Sequence, residues 1–69
     1  MGDGPMDRIQ VHYHVVVTLA CGLNELIDMK IFEDRCPKEM AYEFVRAILK
    51  VEIREILSVE RVGTAQAHL

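Results

Sequence analysis

The sequence lacks any apolar run approaching the roughly 18 residues that a membrane-spanning helix requires. Its longest candidate, Val15 to Cys21, has the length of a strand. It also lacks an excess of positive charge. The net charge of −3 removes the simple electrostatic grip on phosphates that a basic face supplies. Neither direct nucleic-acid binding nor a membrane partner is expected. Serine occurs once, at Ser58, with nothing around it that would activate a nucleophile. The glycines form neither a phosphate-binding loop nor a dinucleotide fingerprint. The two cysteines, Cys21 and Cys36, make no Cys-x-x-Cys pair and read as free thiols in a reducing compartment. The opening residues Met1-Gly2-Asp3-Gly4-Pro5 are not basic and lead into no leader-like apolar stretch, so a cytoplasmic location is expected. The carboxylate pairs Glu33/Asp34 and Glu39/Glu43 come with no sign of the cleft that would split their pKa values for acid–base work. The expectation is a protein that is not an enzyme and needs no cofactor.

What remains is a short, apolar, globular chain. Its 69 residues allow one domain. Hydrophobic residues make up 51% and charged residues 28%, which is a folding composition rather than a disordered one. A chain of this size buries only about 60% of the surface that its unfolded form exposes. Oligomerisation is one common source of the missing stability. Residues 1–7 read as a flexible leader, residues 8–63 as a single α+β domain, and residues 64–69 as a C-terminal tail.

Arg8 to Cys21 alternates with period two. Ile9, Val11, Tyr13, Val15, Val17, Leu19 and Cys21 share one face; Gln10, His12, His14, Val16, Thr18 and Ala20 share the other. Glu25 to Glu33 alternates again, with Ile27, Met29 and Ile31 on one face. A three-residue loop at Gly22 to Asn24 would set Leu19 against Ile27, Val17 against Met29 and Val15 against Ile31. That register also places His12 opposite Asp34 and His14 opposite Phe32.

Pro37 suits the first turn of a helix, with Asp34 or Cys36 as its cap. Met40, Ala41, Phe44, Val45, Ala47, Ile48 and Val51 then recur at helical spacing, and the helix is expected to end near Val51. Residues 54–63 are ambiguous. Leu57 and Val59 alternate as in a strand, whereas Ile53, Ile56 and Leu57 would fit a rotated helix. The strand is preferred. The expected fold is therefore a small ββαβ unit: a three-stranded antiparallel sheet in the order 2-1-3 with one helix on one face.

Several residues are candidates for function. His12 and His14 project from the same strand face, and with Asp34 they would form a metal-binding cluster. Cys36 at a helix N-terminus, beside Arg35 and Lys38, is a candidate reactive thiol. Tyr42 is an aromatic on the charged side of the helix and a candidate interface anchor. Val16, Thr18 and Phe32 would lie on the sheet face that one helix cannot cover. An apolar surface of that kind tends to mark an interaction site. The leading expectation is a non-enzymatic interaction module, a homodimer joined through the open sheet face or a sheet edge. Two alternatives differ in class. One is an acidic phage-type inhibitor or accessory factor docking on a larger nucleic-acid-handling complex. The other is a small metal- or redox-responsive binding protein.

Overall fold

The chain folds into strand β1 (Arg8–Leu19), strand β2 (Asn24–Phe32), helix α1 (Pro37–Phe44) continued by a π-helical turn (Val45–Leu49), and strand β3 (Ile53–Ala67). This is a computed structural model; it describes the backbone of residues 8–67 and the side chains of residues 9–64. The strands form one antiparallel sheet in the order β2-β1-β3, the topology expected from the sequence. The leader at 1–7 and the last two residues of the expected tail lie outside the described residues. The tail itself needs correction. β3 runs on through residues 64–67, because its ladder with β1 continues from Val11↔Thr64 to Arg8↔Ala67.

The hairpin register is not the expected one, and the cause is the position of one glycine. The observed pairs are Val15↔Ile27, Tyr13↔Met29 and Val11↔Ile31. The Leu19 carbonyl accepts from the Gly22 N–H at 2.8 Å and the Leu19 N–H donates to the Leu23 carbonyl at 2.7 Å. The loop is thus three residues long, as expected, but it is Ala20-Cys21-Gly22. Gly22 closes it with a φ of 98°, the place where a three-residue hairpin needs a residue in the left-handed region. Starting the loop with the glycine slides β2 by four residues. An even slip leaves every side chain on its proper face, which is why the facing was legible when the partners were not.

A β-carbon at residue 22 would meet only the Arg54 Nη2 at 3.3 Å, the tip of a flexible side chain that can move aside. The cost of Gly22→Ala is therefore mainly backbone strain. It should lower stability by about 1–2 kcal/mol, measured as a reduced denaturation midpoint with an unchanged slope.

β3 departs from the regular ladder at three places, between His12 and Tyr13, Val16 and Val17, and Thr18 and Leu19 of its partner strand. Each shift inserts one extra residue, so that Ile53, Ile56 and Val59 fall opposite Leu19, Val17 and Val15. A period of three replaces a period of two. The bulges account for the helical look of this segment in the sequence.

The helix starts at Pro37 with Cys36 at the cap position, although the thiol makes no capping hydrogen bond. Ala41 and Val45 are buried against Val15, Val17, Ile27, Met29, Ile31 and Ile53, with Met40 partly buried beside them. Val51 also packs partly against the core, but the rest of the expected apolar stripe is not covered. Phe44 is 41% and Ile48 62% exposed. The π turn closes through the Lys50 N–H and the Val45 carbonyl at 3.1 Å, with Lys50 at a φ of 63°. This wider turn changes the angular spacing assumed for an α-helix. Arg46 then reaches forward to Glu52, its Nε and Nη2 each donating over 3.1 Å, and this bidentate pair raises the guanidinium pKa above its ordinary value. No helix among the described residues is long and apolar enough to cross a membrane.

Candidate functional site

The sheet face away from the helix carries the chemistry. Residues 10, 12, 14, 16 and 18 of β1 alternate with its buried set, so Gln10, His12, His14, Val16 and Thr18 share that face. Paired residues of an antiparallel ladder point the same way, which adds Leu26, Asp28 and Lys30 from β2 and Ser58, Glu60 and Gly63 from β3.

His12 and His14 stand with ring centroids 5.1 Å apart and their planes at 89°. Asp28 lies directly opposite His14 and diagonally across from His12. Its Oδ1 accepts a hydrogen bond from the His12 Nε2, and its Oδ2 is 3.8 Å from the His14 Nε2. An ionised carboxylate can only accept, so the His12 Nε2 carries the proton. The hydrogen bond from His12 holds the Asp28 carboxyl below its ordinary value against a smaller opposing desolvation; His12, His14 and Lys30 add attraction in the same direction. One nitrogen from each histidine and one Asp28 oxygen lie within 4.8 Å of one another.

Asp34, the carboxylate expected beside the histidines, is elsewhere. It sits past the end of β2, in the turn where the Arg35 N–H donates to the Phe32 carbonyl. Lys30 stands opposite His12 and Asp28 opposite His14, where Asp34 and Phe32 were expected. The four-residue shift of β2 makes this exchange. Asp28 was missed for the same reason, and a glycine placed last in its loop would have revealed it.

Of the candidate interface residues, Val16, Thr18 and Phe32 share the open sheet face, and Tyr42 stands apart on the helix. Val16 and Thr18 lie half-buried on the central strand, and the Thr18 hydroxyl donates to Asn24 Oδ1 at 2.8 Å. Phe32 is half-buried at the end of β2, and Tyr42 is 39% exposed on the helix. Cys36 and Cys21 are both free and exposed. They lie at the ends of β2, one before α1 and the other in the hairpin loop.

A second feature was not anticipated. Along the outer side of β2, two shallow depressions of about 420 and 370 Å³ share Lys30, Ile31 and Met40 in their lining. The second also includes Met29 and Phe44. Together they make a groove between the edge strand and the helix, apolar at its floor and charged at its rim.

The two sheet edges differ. β2 keeps an unbroken register from Thr18↔Asn24 to Gln10↔Phe32, whereas the register of β3 shifts three times. Bulges are one of the devices that keep an edge strand from pairing. The β2 edge has no such defence.

No family model, curated protein or solved structure matches the chain.

Proposed function

We propose that the chain is a non-enzymatic interaction module that forms a symmetric dimer by antiparallel pairing of β2 with β2 of a second copy. The observation that carries this reading is the self-complementarity of the strand. The Leu19 N–H bonds the Leu23 carbonyl at one end of the hairpin, and the Glu33 N–H bonds the Ile9 carbonyl at the other. Hydrogen-bonded and non-hydrogen-bonded pairs alternate between them. Odd-numbered residues of β2 therefore point their backbone groups toward β1. The backbone groups of Leu26, Asp28 and Lys30 point outward.

An axis through Met29 sets Asp28 against Lys30 of the second copy, and Lys30 against its Asp28. Leu26 meets Phe32 and Ile27 meets Ile31. Moving the axis by one residue either way sets Asp28 against Asp28 or Lys30 against Lys30, which is unfavourable. Only the end pair of Glu25 and Glu33 opposes the Met29-centred register. Its two sheets join into one of six strands, with both helices on the same side. The groove lined by Met29, Ile31, Met40 and Phe44 would then run along the seam, where the second copy's equivalent residues extend its apolar floor. This is strand addition, in which main-chain bonds supply affinity and side-chain matching supplies specificity.

Size-exclusion chromatography with light scattering on the full chain tests the reading. A dimer mass at micromolar concentration is expected, together with dissociation of Lys30→Glu, which places like charges on both sides of the axis. A parent chain that remains monomeric at about 100 μM, the weak end of specific association, overturns it.

A further inference from the structure

We propose that His12, His14 and Asp28 form a binding site for a divalent transition-metal ion, with Zn²⁺ the best match. The three ligand atoms come from adjacent strands of one sheet, and two of the three residues lie on its central strand. The fold thus sets their backbones before any ion arrives, which is the preorganisation a site needs. The Asp28 carboxylate already reaches toward both histidines, bonded to His12 and 3.8 Å from His14. The proton it accepts from the His12 Nε2 occupies the place a cation would take.

Zinc takes imidazole nitrogen and carboxylate oxygen at about 2.0–2.2 Å in a tetrahedral arrangement. Ligand atoms now within 4.8 Å of one another must draw in by an ångström or so. Side chains exposed by 28%, 33% and 60% have the rotational freedom to do that. The set of two nitrogens and one oxygen favours zinc and its neighbours over thiol-seeking ions. Cys21 and Cys36 lie at the ends of β2 and outside this cluster.

The fourth position falls to water or to Glu60, which pairs with His14 across from β3. Space is available next to His12. Gly63 lies opposite it, a β-carbon there would touch nothing within 4 Å, and a notch of about 120 Å³ is bordered by Gln10, His12, Lys30, Gly63 and Thr64. Lys30 opposes metal binding from beside His12, and in the proposed dimer the second copy's Lys30 does so from across the seam. Its long stem allows the ammonium to turn toward water.

The test is zinc titration of the full chain after chelator treatment, by calorimetry and by competition with a chromophoric indicator. One ion per chain is expected. His12→Ala, His14→Ala and Asp28→Asn should each weaken binding by more than about tenfold, whereas Cys21→Ser/Cys36→Ser should bind as the parent does. The histidine ring resonances of the parent chain provide a readout that needs no variant. Zinc should shift those of His12 and His14. The proposal is overturned if the parent binds no zinc, if the histidine variants bind as tightly as the parent, if binding disappears with the cysteines, or if only the His68 ring responds.

Discussion

Replacing Lys30 with proline is expected to convert the proposed β2-paired dimer to a monomer while leaving the sheet intact. The expectation follows from the alternation of the β1·β2 ladder. Met29 pairs with Tyr13 as a hydrogen-bonded pair, so its N–H is used inside the protomer. Lys30 pairs with His12 in the intervening, non-bonded position, so its N–H faces outward. Proline at Lys30 removes a donor that only a second chain can use, and edge strands accept proline on that side. The same substitution at Met29 removes a donor from the ladder itself and should unfold the chain. Light scattering and far-ultraviolet circular dichroism together read the two outcomes. A Lys30→Pro variant that stays dimeric at the parent's concentration eliminates the β2 seam. Val16→Glu separates this seam from packing between open sheet faces. Val16 is on β1 and away from the edge, so its variant should remain a dimer, whereas face-to-face association would be lost.

The contrast between residues 29 and 30 also explains what the sequence could reveal. Period-two alternation in β1 and β2 assigns faces without knowledge of partners, because any slip by an even number preserves it. Val11, Val15, Val17, Ile27, Met29 and Ile31 are all buried accordingly. Partners depend on the loop, and there the glycine misled. Placed first in the loop, Gly22 predicts His12 opposite Asp34; placed last, with its positive φ, it brings Asp28 to both histidines. The histidine pair was legible because i and i+2 on a strand need no register at all. Its third member depended entirely on register.

β3 shows the opposite difficulty. Its three bulges erase the period that identifies a strand, and its strand character is set by pairing with β1 rather than by its own pattern. The helix was legible at its start, where Pro37 and the cap position are local signals, and less so at its end. A π turn changes the angular spacing after Phe44, so Ile48 leaves the core that α-helical spacing assigns it; Phe44, which precedes that turn, is exposed as well. The exposed Phe44 borders the β2 groove. Helical periodicity could assign it to an apolar face, but only the tertiary arrangement brings that face to the edge strand.

The largest single effect on folding should come from aspartate at Val15, and the same substitution one residue later should have little effect. Val15 is fully buried, on the central strand, between Ile27 and Val59 and beneath the helix. A domain of this length has a total stability of roughly 3–10 kcal/mol by the usual value per residue. An unpaired carboxylate in an apolar interior costs several kcal/mol even when it escapes by taking up a proton. Val15→Asp should therefore consume most or all of that margin, and cooperative thermal unfolding should vanish. Val16 points to the opposite face, half-exposed and between Leu26 and Ser58. Aspartate there meets water and should cost less than about 1 kcal/mol. Both variants must be compared with the parent at one protein concentration, because any self-association would contribute to apparent stability. Cooperative unfolding of Val15→Asp at the parent's midpoint contradicts the buried assignment, and collapse of Val16→Asp contradicts the open face on which the histidine cluster stands.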